Sequence, residues 1–318
     1  MSHSVIQTTP AAIQKMKLHY KDSLIEKLPQ GALFAAKTAN CSITAYKSGK
    51  VLFQGAGAQT ESGRWQSDST GGNTKPINKK SSAIPAVFSP PPSISEMSVI
   101  GSDEVGTGDY FGPMTVAAAY ASRKNLPLLK ELGVKDSKNL TDSQITAIAK
   151  DLIKTIPYSL LILPNEKYNV MQAKGMSQGK LKALLHNQAI TKLKEKISPE
   201  EPEAVLIDQF AVPDIYFRHL SGKAFTKEKT YFSTKAEGVH LAVAAASIIA
   251  RYAFLKEFDK LSKKAGFPLP KGAGSKVDEA AAKLMAAQGE QTAGQFVKLH
   301  FANTGKAKLL LAKKQNRQ

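Results

Sequence analysis

Two adjacent carboxylates, Asp103 and Glu104, close the apolar run Ser98-Val99-Ile100-Gly101-Ser102. A glycine-rich turn follows at once: Val105-Gly106-Thr107-Gly108-Asp109-Tyr110-Phe111-Gly112-Pro113. A run of this kind reads as a strand, so the chain must deliver both acids to a strand end beside flexible backbone. Unpaired charges are costly to desolvate, and like charges in one place repel. The arrangement makes sense if something strongly positive sits there, and a divalent metal is the usual answer.

The rest of the composition supports a polyanionic partner. Of 318 residues, 44 are Lys or Arg and 26 are Asp or Glu, a net charge of +18. That balance favours nucleic acid through counterion release and steering. An anionic membrane is the rival, but no basic amphipathic helix with a large aromatic face is visible. No run of about eighteen apolar residues exists to span a bilayer. Met1 to Pro10 lacks the charged-then-apolar order of a signal peptide. The single cysteine, Cys41, excludes internal disulfides and cysteine-rich zinc sites. A cytoplasmic protein is expected.

Composition breaks between about Ser62 and Ser95, where Ser67 to Pro76, Ser81-Ser82 and Pro90-Pro91-Pro92 are polar and rich in breakers. This predicts a small domain over residues 1–66, a linker over 67–94 and a larger domain over 95–318. In the first, Ile13, Met16, Tyr20 and Leu24 predict a helix ended by Pro29 and Gly31. Cys41 to Tyr46 and Lys50 to Phe53 alternate as in an antiparallel meander, and a short helix is expected between Gly57 and Trp65. Residues 1–95 carry eleven Lys and Arg against four Asp and Glu. With no cluster dense enough for chemistry, this region reads as a binding module or as a basic structural cap.

The larger part is α/β. Ser98–Ser102, Met114–Tyr120, Tyr158–Leu163 and Ala204–Ile207 predict strands. Asp142–Thr155, capped by a Thr141/Gln144 box, and Gln178–Ile197 predict helices. A third helix is expected from Ala236 through Ala265, and a fourth after Ser275 as N-cap. Two more acids sit at abrupt edges of apolar elements: Asp208 after Ala204-Val205-Leu206-Ile207, and Glu237 before Ala244 to Ile249. Alone, Asp208 is an ordinary turn residue and Glu237 an ordinary helix cap. Together with Asp103 and Glu104 they suggest a cluster along one sheet edge. Such a cluster suits hard cations. Two ions about 3.5–4 Å apart can clamp the attacking and leaving oxygens of a phosphodiester.

The glycine turn superficially matches a dinucleotide loop, but acids precede it, Asp109 lies inside it, and the Lys-Ser/Thr of a P-loop is missing. Close approach of bare backbone to a sugar-phosphate strand fits better, with a tight hairpin as the plain alternative. His186, His240 and His300 lie on or near apolar helices and read as packed or surface residues. Pro270 to Lys276 could bind an anion at a helix start or simply connect.

The segment Gly101 to Pro113 resembles the opening motif of type 2 ribonucleases H, most closely the bacterial ribonuclease HIII family. Val134-Lys135-Asp136-Ser137-Lys138-Asn139-Leu140 is similar to that family's Asp-Ser-Lys segment. Leu206-Ile207-Asp208 and Lys235-Ala236-Glu237, with Ala244 to Ile248 after it, match its later acidic motifs in order. The resemblance covers about residues 95–305. Gly-Thr-Gly, where ribonuclease HII typically has Gly-Arg-Gly, and Glu237, where it usually has Asp, point to HIII.

The resemblance implies a ribonuclease H-like catalytic domain, a mixed sheet flanked by helices, preceded by an α+β TATA-binding-protein-like domain. It implies two Mg²⁺ or Mn²⁺ ions held by Asp103, Glu104, Asp208 and Glu237. Asp103 would bridge both ions, Glu104 and Asp208 would complete the leaving-oxygen site, and Glu237 would help hold the ion that activates water. The backbone of Gly106, Thr107 and Gly108 would meet 2′-hydroxyls. Ser137 and Lys138 would contact phosphate, with Lys180 and Lys182 as weaker candidates. The expected activity is cleavage of the RNA strand of an RNA/DNA hybrid by a monomer, leaving 3′-hydroxyl and 5′-phosphate ends. The alternatives are cutting at single embedded ribonucleotides, as ribonuclease HII does, and hybrid binding without catalysis. A nucleotide-cofactor enzyme is a third reading of the glycine turn.

Overall fold

The computed structural model describes residues 3–26, 28–29, 31–65 and 85–315. The chain divides into two compact units, Met1–Ser81 and Ser82–Gln318. Most of the expected linker, 67–84, lies outside the described residues.

The first unit is a four-stranded antiparallel sheet of β1 (His3–Gln7), β2 (Ala32–Lys37), β3 (Ser42–Tyr46) and β4 (Lys50–Gln54), in the order β1-β4-β3-β2. Helix α1 (Pro10–His19) starts where Thr9 accepts from the Ala12 N–H and Pro10 presets the first turn. Ile13, Met16 and Tyr20 from the helical side bury against Phe34, Ile43, Val51 and Phe53. The expected helix through Leu24 is too long. It stops at His19 because Tyr20 turns inward to donate to Glu61, and Leu24 then bridges to Ala36 in the sheet. Strand β1 was absent from the expectation, since five residues with two apolar side chains carry little signal. A short α2 (Ala58–Gly63) follows β4.

The second unit is built on a mixed sheet of β5 (Val99–Val105), β6 (Met114–Ala121), β7 (Tyr158–Leu163), β8 (Ala204–Asp208) and β9 (Thr230–Ser233). Its order is β7-β6-β5-β8-β9. The pairs β5–β6 and β6–β7 are antiparallel, and β5–β8 and β8–β9 are parallel. Helices α3 (Leu126–Glu131), α4 (Asp142–Thr155), α5 (Asn165–Ala173), α6 (Gln178–Ile197), α7 (Pro213–His219), α8 (Leu241–Ala265), α9 (Ser275–Gln288), α10 (Glu290–Ala293) and α11 (Ala302–Gln315) complete it. Alternation along the strands sorts the core. Val99, Ala117, Ala119 and Leu206 face α8, on which α4 packs, while Ile100, Val116, Ala118 and Ile207 face α6 and α7.

The alanine-rich start of α8 sits directly on β5. A Cβ on Gly101 would run into the backbone of Ala242 and Val243, so only glycine permits this approach. The helix expected from Ala236 is broken. Ala236–Gly238 forms a separate 3₁₀ turn entered through Lys235 at φ 56°, and α8 begins only after His240. His240 is extended and accepts the Ala242 N–H on Nδ1. Ser275 is the first residue of α9 and Gly274 its cap. The Thr141/Gln144 capping box is present as expected. Phe88, at the end of the expected linker, packs against Phe217 and Phe232.

Candidate active site

In the parallel ladder Ser102 pairs with Ile207, so Asp103 and Asp208 come next, side by side, at the ends of neighbouring strands. Asp208 still pairs with Ser233 of β9, and four residues further on the chain reaches Glu237. The Ala236 N–H donates to Asp208 Oδ1 at 2.9 Å, which fixes the turn that carries Glu237. Four acids scattered over 135 positions of sequence thus share one sheet edge.

They do not share one face. Asp103 and Asp208 follow Gly101 and Leu206 on the α8 side. Glu104 follows Ser102 on the α6 side, where Lys182 Nζ lies 2.5 Å from its Oε1 and His186 Nε2 lies 3.0 Å from its Oε2. His186 is fully buried, and its Nδ1 is 2.7 Å from Ser102 Oγ. Across the edge, Lys138 Nζ donates to Glu237 Oε1 at 2.5 Å. Ser137 turns inward, its Oγ 2.8 Å from Ser247 Oγ on α8.

The charges behave accordingly. Burial, followed by repulsion from Glu104 and Asp208, pushes the Asp103 carboxyl up to about 8, against the hydrogen bonds from Ser247 and the Glu104 N–H. Asp208 is also raised, by burial and by Glu237 and Glu104, although the Ala236 N–H opposes the shift. Burial would raise Glu104 too, but His186 and Lys182 outweigh it and hold that carboxyl below its usual range. Lys138 does the same for Glu237.

This is a site with a surplus of buried negative charge that two lysines partly offset. Among the described residues, no three His, Cys, Asp or Glu side chains are drawn together closely enough to hold an ion as they stand. The chemistry of the donor set nevertheless fits a hard divalent cation. All four groups are carboxylates, two of them, Asp103 and Asp208, are raised by burial and by their acidic neighbours, and among the described residues Glu237 Oε2 is buried without a hydrogen-bond partner.

The glycine turn leaves β5 beside this edge. Gly106 and Gly112 are left-handed, at φ 90° and 87°, and nothing lies within 4 Å of a Cβ placed on Gly108. The Thr107 carbonyl accepts from Gln178 Nε2 at 3.0 Å. Below it, Asp109 Oδ1 accepts the Gly272 N–H, and the buried Lys298 ammonium donates to the Asp109 and Gly112 carbonyls. Burial pushes that ammonium down to about 8. Lys271 reaches Asp142 at the start of α4, so the segment at 270–274 ties the turn to the Asp-Ser-Lys loop. Sequence reasoning missed Ser247, Lys298 and the Glu104 contacts of Lys182 and His186. Ser247, the lone hydroxyl within Ala244 to Ala250, carried a readable signal.

A mixed five-stranded sheet with carboxylates at the ends of adjacent central strands defines a ribonuclease H-like fold. The family model for ribonuclease HII matches residues 100–304, and a domain of unknown function (DUF3378) matches residues 3–78. Ribonuclease HIII of Bacillus licheniformis is 64% identical over 315 residues, covering 99% of this chain and 100% of its own. Ribonuclease HIII of Bacillus subtilis is 62% identical over 319 residues, with the same coverage. A solved structure described as Bst-RNase HIII in complex with Mn²⁺ is 47% identical, with a TM-score of 0.67, covering 98% of this chain and 100% of that one. RNase H3 of Aquifex aeolicus, at 21% identity and a TM-score of 0.53 over 93% of this chain and 99% of its own, shares the fold. The chain belongs to the type 2 ribonuclease H family, in its ribonuclease HIII branch, and is a hydrolase of that class.

Proposed function

We propose that the protein is an endonuclease that hydrolyses the RNA strand of RNA/DNA hybrids with two divalent ions, Mg²⁺ or Mn²⁺. The products carry 3′-hydroxyl and 5′-phosphate ends. The observation that carries the reading is the in-register placement of Asp103 beside Asp208, with Glu104 and Glu237 flanking them. Asp103, Glu104, Asp208 and Glu237 would hold the ions, which supply an activated water and charge for the departing oxyanion. Asp103, on which both Glu104 and Asp208 act, would serve both ions. Lys138 and Lys182 neutralise Glu237 and Glu104 until cations arrive, and Ser247 orients Asp103.

The backbone of Gly106, Thr107 and Gly108, open at its Gly108 tip, meets the 2′-hydroxyls, while Ser137 braces the loop that presents Lys138 to phosphate. The basic first unit, read as a TATA-binding-protein-like domain over residues 1–66, holds the duplex. The protein acts as a cytoplasmic monomer. Among the described residues no helix is long and apolar enough to cross a membrane.

Product mapping tests the reading. A full RNA/DNA hybrid is compared with a DNA duplex containing one ribonucleotide, in Mn²⁺ or Mg²⁺. Preferred cleavage of the hybrid is expected. Preference for the single ribonucleotide would move the substrate assignment to that of ribonuclease HII, and binding without divalent-dependent cleavage would remove the nuclease assignment.

A further inference from the structure

Lys298 lies between α10 and α11 and is completely closed to solvent. Its Nζ donates to the Asp109 carbonyl at 2.8 Å and the Gly112 carbonyl at 2.6 Å, and its backbone N–H donates to the Tyr110 carbonyl. One residue therefore holds three points along the base of the glycine turn. Among the described residues no carboxylate pairs with this ammonium, because the Asp109 side chain accepts from Gly272 N–H instead. A buried charge without an ion partner is costly, and an apolar side chain of equal length would avoid that cost. Complete burial also excludes direct contact with a nucleic acid.

The feature that the ammonium organises is the turn. At the near end, a Cβ on Gly106 would strike the Pro113 carbonyl, so the two limbs run in contact. The tip at Gly108 is open, and Gln178, which also donates to the Tyr168 hydroxyl, holds the Thr107 carbonyl beside it. The path of the tip is thus set by the base, where Lys298 satisfies two inward carbonyls that no other described residue serves.

We infer that Lys298 is a positioning residue that sets the path of the glycine turn and thereby the enzyme's discrimination between ribose and deoxyribose at the strand being cut. The inference rests on the proposed reading of Gly106, Thr107 and Gly108 as ribose-contacting backbone. An ammonium suits this task because its tetrahedral donors can serve two carbonyls at once.

The test uses the full chain with Mn²⁺ and two labelled hybrids, one all-RNA and one with a single 2′-deoxynucleotide beside the scissile phosphate. In K298M the ratio of kcat/KM for the two hybrids is expected to fall at least fivefold, with half-saturation by Mn²⁺ unchanged. Hydrogen exchange at the Tyr110 and Gly112 amides, which donate to Gly272 and Phe296, is expected to accelerate at least tenfold while α8 amides keep their rates. A merely structural lysine would loosen α8 as well and leave the ratio alone. K298Q, which retains an N–H donor, is expected to recover part of the discrimination, and it carries the test should K298M not fold. A folded variant with wild-type discrimination overturns the inference, whatever its exchange. If the wild type cleaves both hybrids equally, the ribose reading of the turn and this inference fall together, while its cleavage of the hybrid leaves the nuclease assignment standing.

Discussion

Lys182 Nζ lies 2.5 Å from Glu104 Oε1, with the two side chains only 13% and 9% exposed. The same ammonium sits 4.2 Å from the centre of the Phe210 ring. A cation bound by Glu104 would compete with this lysine. K182M should therefore lower the Mn²⁺ concentration for half-maximal activity by about threefold or more. Breaking a buried pair costs roughly 3–5 kcal/mol. The ion-free variant should melt lower, with Mn²⁺ recovering more of its melting temperature than in the wild type. Melting curves across a Mn²⁺ titration check this, and an equal shift in both proteins counts against it.

Asp103, proposed to serve both ions, is buried and repelled by both Glu104 and Asp208. D103N should reduce kcat by roughly 10³-fold or more, about 4 kcal/mol at 1.4 kcal/mol per decade, while hybrid affinity changes little. Single-turnover cleavage and equilibrium binding on the same hybrid separate the two effects. Undiminished turnover would remove Asp103 from the mechanism.

Gly101 is where α8 touches the sheet. G101A should cost about 1–3 kcal/mol, in the range of core overpacking, because the obstructing atoms are backbone and cannot swing away. Urea unfolding measures the loss. Activity should fall beyond what instability explains, since Ser247 and Asp103 meet one turn further along the same contact.

His240 gives a pH signature. Burial lowers its imidazole from 6.5 to about 4, although the Met97 carbonyl opposes the shift. Nδ1 accepts the Ala242 N–H, so the proton of the neutral ring sits on Nε2, 3.2 Å from that carbonyl. The folded state binds this proton less readily than the unfolded chain does. Stability should therefore fall as pH drops from about 6.5 to about 4, by up to roughly 3 kcal/mol from this group. H240N keeps a capping side chain and should lose that component. The difference between wild-type and variant unfolding energies at pH 7 and pH 5 isolates it, and an equal pH slope in both would exclude it.

Removing residues 1–81 should weaken hybrid affinity and flatten its dependence on salt, with the single-turnover cleavage rate at saturating hybrid kept within about threefold. Binding isotherms between 50 and 200 mM salt test this. An unchanged slope would leave the first unit without a role in holding the duplex.

Strands that were long and apolar, and acids at their ends, were readable because burial and charge conflict there in plain sequence. The elements that escaped lacked that conflict. Strand β9 is four residues after a Lys-rich segment and gains its identity only by pairing with β8. Ala236-Glu237-Gly238 reads as continuous with α8, yet Lys235 and His240 adopt backbone conformations that separate them. The acids stood out in sequence by type and position, but their division between the two faces follows from register. Lys298 was invisible because a lysine in Phe-Val-Lys-Leu reads as solvated until the fold closes it in beneath the glycine turn.

Among the described residues strand β5 alone is bonded to both an antiparallel and a parallel neighbour in its sheet, and it carries consecutive acids that project to opposite sides. A slip of a single step would bring Glu104 to the serine in one direction, or Asp103 to the lysine in the other, and either way would leave one of the two places without its acid. Insertions or deletions between Val99 and Glu104 should accordingly be intolerable even where they preserve composition, because the alignment of the ladder is itself part of the catalytic apparatus.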